Sequence, residues 1–98
     1  MSANVRLVRK VINQFEKLRS ASRLMRARRL GVRVGRDCRF GAHVEINLGL
    51  YENHLGEISV GDQGWIGQGV ILWAFGGRIR IGKSVYVGQY SVIYGHGN

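Results

Sequence analysis

VRVGRDCRFGAHVEI (32–46), ISVGDQGWIGQGVIL (58–72) and IRIGKSVYVGQYSVI (79–93) align without a gap, and that alignment decides the fold. Every sixth place holds an aliphatic residue or Phe: Val34, Phe40 and Ile46, then Val60, Ile66 and Leu72, then Ile81, Val87 and Ile93. Gly35, Gly41, Gly61, Gly67, Gly82 and Gly88 follow the first two of each trio. Four places beyond those six leading residues stand Cys38, Val44, Gly64, Val70, Val85 and Ser91, all small. A period of six fits neither the alternation of a simple strand nor the 3.6-residue repeat of a helix. It fits one short strand plus one turn, three of which close a triangular coil of about eighteen residues. On this reading the leading residue points inward and stacks on its equivalents, and the small residue shares the crowded interior. The adjacent Gly supplies the corner geometry, positive φ included. Cys38 falls on a small inward place and reads as packing rather than as a nucleophile or ligand.

The period breaks twice. Eight extra residues enter within NLGLYENHLG (47–56), and three enter within WAFGGR (73–78). Both breaks follow the third unit of a coil, so both loops are expected to leave one corner, where insertions form a binding surface, an inert bulge or a contact between subunits. The outward places hold Arg39, Trp65 and Tyr86 in register, with Glu45, Ile71 and Val92 beside them. An apolar exterior of this size calls for a cover, either the N-terminal segment or another subunit. A homotrimer satisfies identical faces by closed symmetry.

That N-terminal segment differs in kind. Residues 1–30 hold nine Lys and Arg against Glu16, for +8, whereas residues 31–98 hold six against five, for +1 of the total +9. Val5, Val8, Ile12, Phe15, Leu18 and Met25 recur at helical spacing, with Ser22 in the gap, and no Gly interrupts before Gly31. The chain therefore divides into a basic amphipathic helix over 1–30 and a repeat region over 31–98. Three uses of the helix stand open: a cover for the repeat region, a helix lying on an anionic membrane surface, or a nucleic-acid contact. The last is disfavoured by the lack of a binding motif or interleaved aromatics. One Cys among 98 residues excludes an internal disulfide and points to a reducing compartment. MSANVRLVRKVINQF lacks a secretory core, which places the protein in the cytoplasm, at most peripheral to the inner face of the membrane.

The repeats, IGKSVYVGQYSVIYGHGN (81–98) most sharply, resemble the hexapeptide-repeat acyltransferases. The likeness is best to the branch that O-acetylates sugars in polysaccharide and lipopolysaccharide assembly, similar to colanic acid and galactoside or maltose acetyltransferases. It implies a mainly β fold, a left-handed parallel β-helix of about three coils after the N-terminal helix, assembled as a homotrimer. It implies acetyl-CoA as co-substrate, lying along the coils between subunits, and a sugar or polysaccharide precursor as acceptor. A His acts as general base in that family, a task suited to imidazole near neutral pH. Relatives carry it in an Asn-His context in a later coil, which implies weak or no acetyl-CoA affinity for this chain by itself. The repeats stop in the third unit of the third coil without a cap, so either the chain is part of a longer protein or partner chains cover that end. Within the chain His96, flanked by Gly in GHGN, and His54, beside Glu52 and Asn53, are the candidate catalytic residues. His43 sits at a turn place and reads as surface. No metal-ligand spacing, phosphate loop or Ser-His-Asp order occurs.

Overall fold

A computed structural model describes residues 3–96, the side chains of residues 3, 16 and 17 excepted. Glu16 and Lys17 of the helix, and Gly97 and Asn98 of the GHGN segment, thus lie outside the described residues or side chains. A 27-residue helix, α1 (Ala3–Arg29), is followed by short strands. These are β1 (Arg33–Val34), β2 (Arg39–Phe40), β3 (Glu45–Asn47), β4 (Leu50–Tyr51), β5 (His54–Leu55), β6 (Glu57–Val60), β7 (Trp65–Ile66), β8 (Ile71–Trp73), β9 (Arg78–Ile81), β10 (Tyr86–Val87) and β11 (Val92–Tyr94). With so long a helix the content is mixed helix and strand rather than mainly β.

The strands sort into three parallel three-stranded sheets, β1-β6-β9, β2-β7-β10 and β3-β8-β11, none closed into a barrel. Each sheet takes one strand from each aligned segment. Val34 pairs with Val60 and Val60 with Ile81; Phe40 with Ile66 and Ile66 with Val87; Ile46 with Leu72 and Leu72 with Ile93. All nine leading residues meet in the register that the six-residue period predicts. In the middle turn Val60, Ile66 and Leu72 are at most 3% exposed, so they form the centre of the core. Val32, Ile58 and Ile79, two places before a leading residue, add another buried rung, as strand alternation requires.

The repeat glycines do a different job from the one expected. Positive φ falls three places after the leading residue, at Asp37, His43, Gln63, Ser84 and Tyr90 (54–62°) and at Gly69 (70°). The glycines after the leading residues are needed for clearance instead. A Cβ on Gly41 would stand 2.5 Å from Gln68 N, and one on Gly67 would stand 2.8 Å from Val87 O. Only a residue without Cβ lets the next turn of backbone come this close. Cys38 is 4% exposed, and its Sγ donates to Gly61 O at 3.2 Å, in keeping with a packing role.

The helix ends on a Schellman motif. Gly31, at φ 99°, donates to Arg28 O, and Val32 donates to Ala27 O, both at 3.0 Å. Val32 and Ala27 are buried together, which locks the helix to the first turn. Contact with the repeats runs through Leu24 and Ala27 against β1 and β2, with Arg23 Nη1 donating to Phe40 O at 3.4 Å. Of the three uses left open for the helix, a cover made by its apolar stripe is not what forms: Val8, Ile12, Phe15, Leu18 and Met25 are all more than half exposed. The packing face carries Leu24, Ala27 and Arg23, while the stripe points elsewhere.

Candidate functional site

Both insertions leave at the same corner, after β3 and after β8, and they stack there. In the first, β4 and β5 pair antiparallel, Leu50 with Leu55 and Tyr51 with His54. Glu52 and Asn53 turn the hairpin at φ 47° and 68°, the left-handed pair that a tight two-residue hairpin needs. In the second, Phe75 and Gly76 do the same at φ 50° and 77°, closed by Gly77 N donating to Ala74 O at 2.7 Å. Gly76 N donates to Leu48 O at 2.8 Å, and Ala74 N to Asn47 O at 2.9 Å, which ties the second loop to the first. Gly95 N donates to Trp73 O at 2.8 Å and adds the last turn to the stack.

This corner gathers aromatic rings that the sequence scatters. Trp73 and Tyr94 occupy one register row and stack at 5.9 Å between centroids. Phe75 stands edge-on to both, at 5.7 and 5.4 Å. His96 lies parallel to Phe75, with ring centroids 6.4 Å apart and planes at 17°. Phe75, Tyr94 and His96 are exposed, so the cluster presents ring faces and one imidazole to solvent. Such a surface suits a ligand with C–H faces and hydroxyl edges, because the rings take the former and the imidazole the latter.

His54 is exposed on the hairpin opposite Tyr51, and among the described residues no hydrogen bond joins it to Glu52. Glu52 is committed to the turn instead. His43 is an exposed turn residue at φ 59°. Among the described residues, His96 has a ring-to-ring contact, with Phe75, while His54 faces Tyr51 across the hairpin. Among the described residues no three His, Cys, Asp or Glu side chains are grouped to hold a metal. The aromatic cluster escaped sequence reading because Phe75 lies in an insertion, outside the period. Its usable signal was the pairing of Trp73 with Tyr94, one place after Leu72 and Ile93.

Clefts among the described residues flank the stack. One, of about 670 Å³, lies between α1 and the β2-β7-β10 sheet, with Arg23 on the helix side and Trp65 and Tyr86 on the other. Arg39 sits 5.4 Å over the Trp65 ring, and Trp65 meets Tyr86 edge-on at 5.2 Å, so the outward row reads as its spacing predicts. The helix leaves that row open, with Trp65 and Tyr86 each about half exposed. The second cleft, of about 540 Å³, runs along β1-β6-β9 beside the hairpin, where Arg33, Arg78 and Arg80 outnumber Glu57. Arg33 and Arg80 flank Ser59 in one row. No protein-family model, no curated protein and no solved structure matches this chain.

Proposed function

We propose that the protein is an acetyl-CoA-dependent acyltransferase of the hexapeptide-repeat kind, moving an acetyl group to a sugar hydroxyl in cell-surface polysaccharide or lipopolysaccharide synthesis. The proposal includes a left-handed winding of the stacked turns, a homotrimer and a cytoplasmic site of action. The observation that carries it is the in-register stacking of all nine leading residues in three parallel sheets. A scaffold of this kind holds loops rigidly at one corner, which acyl transfer between two bound substrates requires. The aromatic corner supplies a surface for a sugar ring, and the Arg33–Arg80 row supplies cations for the phosphates of the coenzyme.

In the reaction an imidazole takes the proton of the acceptor hydroxyl as its oxygen attacks the thioester carbonyl. The tetrahedral oxyanion is held by N–H donors. The C–S bond then breaks, the coenzyme thiolate leaves and recovers the proton, and an acetyl ester remains on the sugar. His96 is the better placed of the two candidate bases because it stands beside ring faces that hold the acceptor; His54 is the other.

The test supplies labelled acetyl-CoA and a panel of sugar nucleotides and lipid-linked saccharides to the protein expressed from its complete reading frame. Acetyl ester formation is expected. His96→Ala should lower turnover by about a hundredfold or more, with His54→Ala within a few fold of the parent. Absence of transfer to any acceptor overturns the reading, and loss confined to His54→Ala moves the base to the hairpin.

A second reading, a non-catalytic trimeric scaffold, is favoured by the open Arg39–Trp65–Tyr86 row, which suits a subunit or partner contact. A trimer in sedimentation without acetyl transfer would favour it, and a stable monomer would exclude it.

A further inference from the structure

The amphipathic stripe of α1 is neither used by the repeats nor covered by them. Leu7, Val8, Val11, Ile12, Phe15 and Leu18 are 42–67% exposed. At 3.6 residues per turn these six fall within about 140° of the helix surface. Arg6, Arg9 and Lys10 lie outside that arc, on the opposite side. Leu24 and Ala27, which fix the helix to the first turn, also lie outside it. A surface laid against the stripe therefore meets the helix from the side away from β1 and β2.

We infer that α1 lies in the plane of an anionic lipid bilayer, with this stripe sunk into the headgroup and acyl boundary. Charge selects that occupant over a second copy of the helix. Residues 1–30 carry nine basic residues against one acid, so paired copies would set +8 against +8. Width agrees, because an arc this broad exceeds the narrow seam of a coiled coil and matches a helix resting on lipid. Arg6, Arg9 and Lys10 can reach back along their aliphatic stems to phosphates at the rim. No described helix is long and apolar enough to cross a membrane, so the contact is with a surface. The segment from Val5 to Leu18 gives a footprint about 20 Å long. The inference goes beyond the acetyl-transfer reading and does not depend on it.

The test is co-sedimentation of the full chain with phosphatidylcholine vesicles, with and without phosphatidylglycerol, at low and raised salt. Binding is expected to the anionic vesicles and to weaken with salt. The pair Ile12→Asp and Phe15→Asp should lower that partitioning at least about a hundredfold. Both side chains are exposed, so helix content by circular dichroism should hold. Arg6→Gln, Arg9→Gln and Lys10→Gln together should lower it about a hundredfold on anionic vesicles. Equal binding to neutral vesicles, or none to either, overturns the inference. So does self-association that I12D/F15D abolishes without any vesicle binding, and so does binding to duplex DNA in place of vesicles. Acetyl transfer to a soluble acceptor should be unchanged by I12D/F15D, which separates failure here from failure of the enzymatic reading.

Discussion

The middle turn and the last turn carry the same pattern and pack differently. Ile66 and Leu72 are fully buried, while Val87 and Ile93, their partners in register, are only partly so. The same holds for the glycines. Gly67 has Val87 O and Gln89 N pressed against the place of a Cβ, whereas a Cβ on Gly88 would meet only Ser91 Oγ at 3.7 Å. Equivalent places in the repeat thus differ in what they contribute, because each rung is sealed by its neighbours on both sides.

The sharpest way to break this comparison is a pair of truncations read by urea unfolding. Leu72→Ala should cost about 3–5 kcal/mol, and Ile93→Ala about 1–2 kcal/mol, since the latter site already meets solvent. Equal losses would mean that the last turn is as closely packed as the middle one. Next, Gly67→Ala should cost about 1–3 kcal/mol through backbone displacement, and Gly88→Ala should stay within about 0.5 kcal/mol. At the other end of the stack, Gly31→Ala should cost about 1 kcal/mol, because an L residue at its φ of 99° is strained. Its added Cβ would also press on the Leu48 side chain. A loss of helix signal before strand signal in that variant would place the damage at the helix end. The smallest effect belongs to Arg78→Gln. Arg78 Nε donates to Glu57 Oε2 at 3.1 Å, but both side chains are 60% exposed. A loss below about 1 kcal/mol, vanishing at high salt, is expected.

The rungs were legible because one inward residue recurs every six places, and nothing but stacking rewards that period. Val34, Ile66 and Ile93 could be assigned their places with no structure in hand. The cause of the neighbouring glycines was not legible: clearance and positive φ both call for Gly, and only backbone contacts separate them. The left-handed places fell instead on Asp37, His43 and Tyr90, whose side chains give the sequence no common signal. On α1 the stripe could be read but not its orientation. Leu24 and Ala27 make the contact, and two such residues leave too faint a hydropathy trace to reveal it. At the corner, Glu52 looked like a partner for His54 and proved to be a turn residue. The Phe75–His96 contact joins an insertion to the last turn, so no spacing rule reaches it.

The two insertions exit and return at one corner, after residues that keep their rung positions. Rewriting the exposed tip of either loop leaves Ile46, Leu72 and Ile93 in line, while Leu48 and the fully buried Ala74 tie the loop bases to the core. Selection could therefore exchange Tyr51, Phe75 or their neighbours for a new ligand while the interior went on folding by the old rule. Tolerance to change and resistance to it are kept in separate parts of the same short coil.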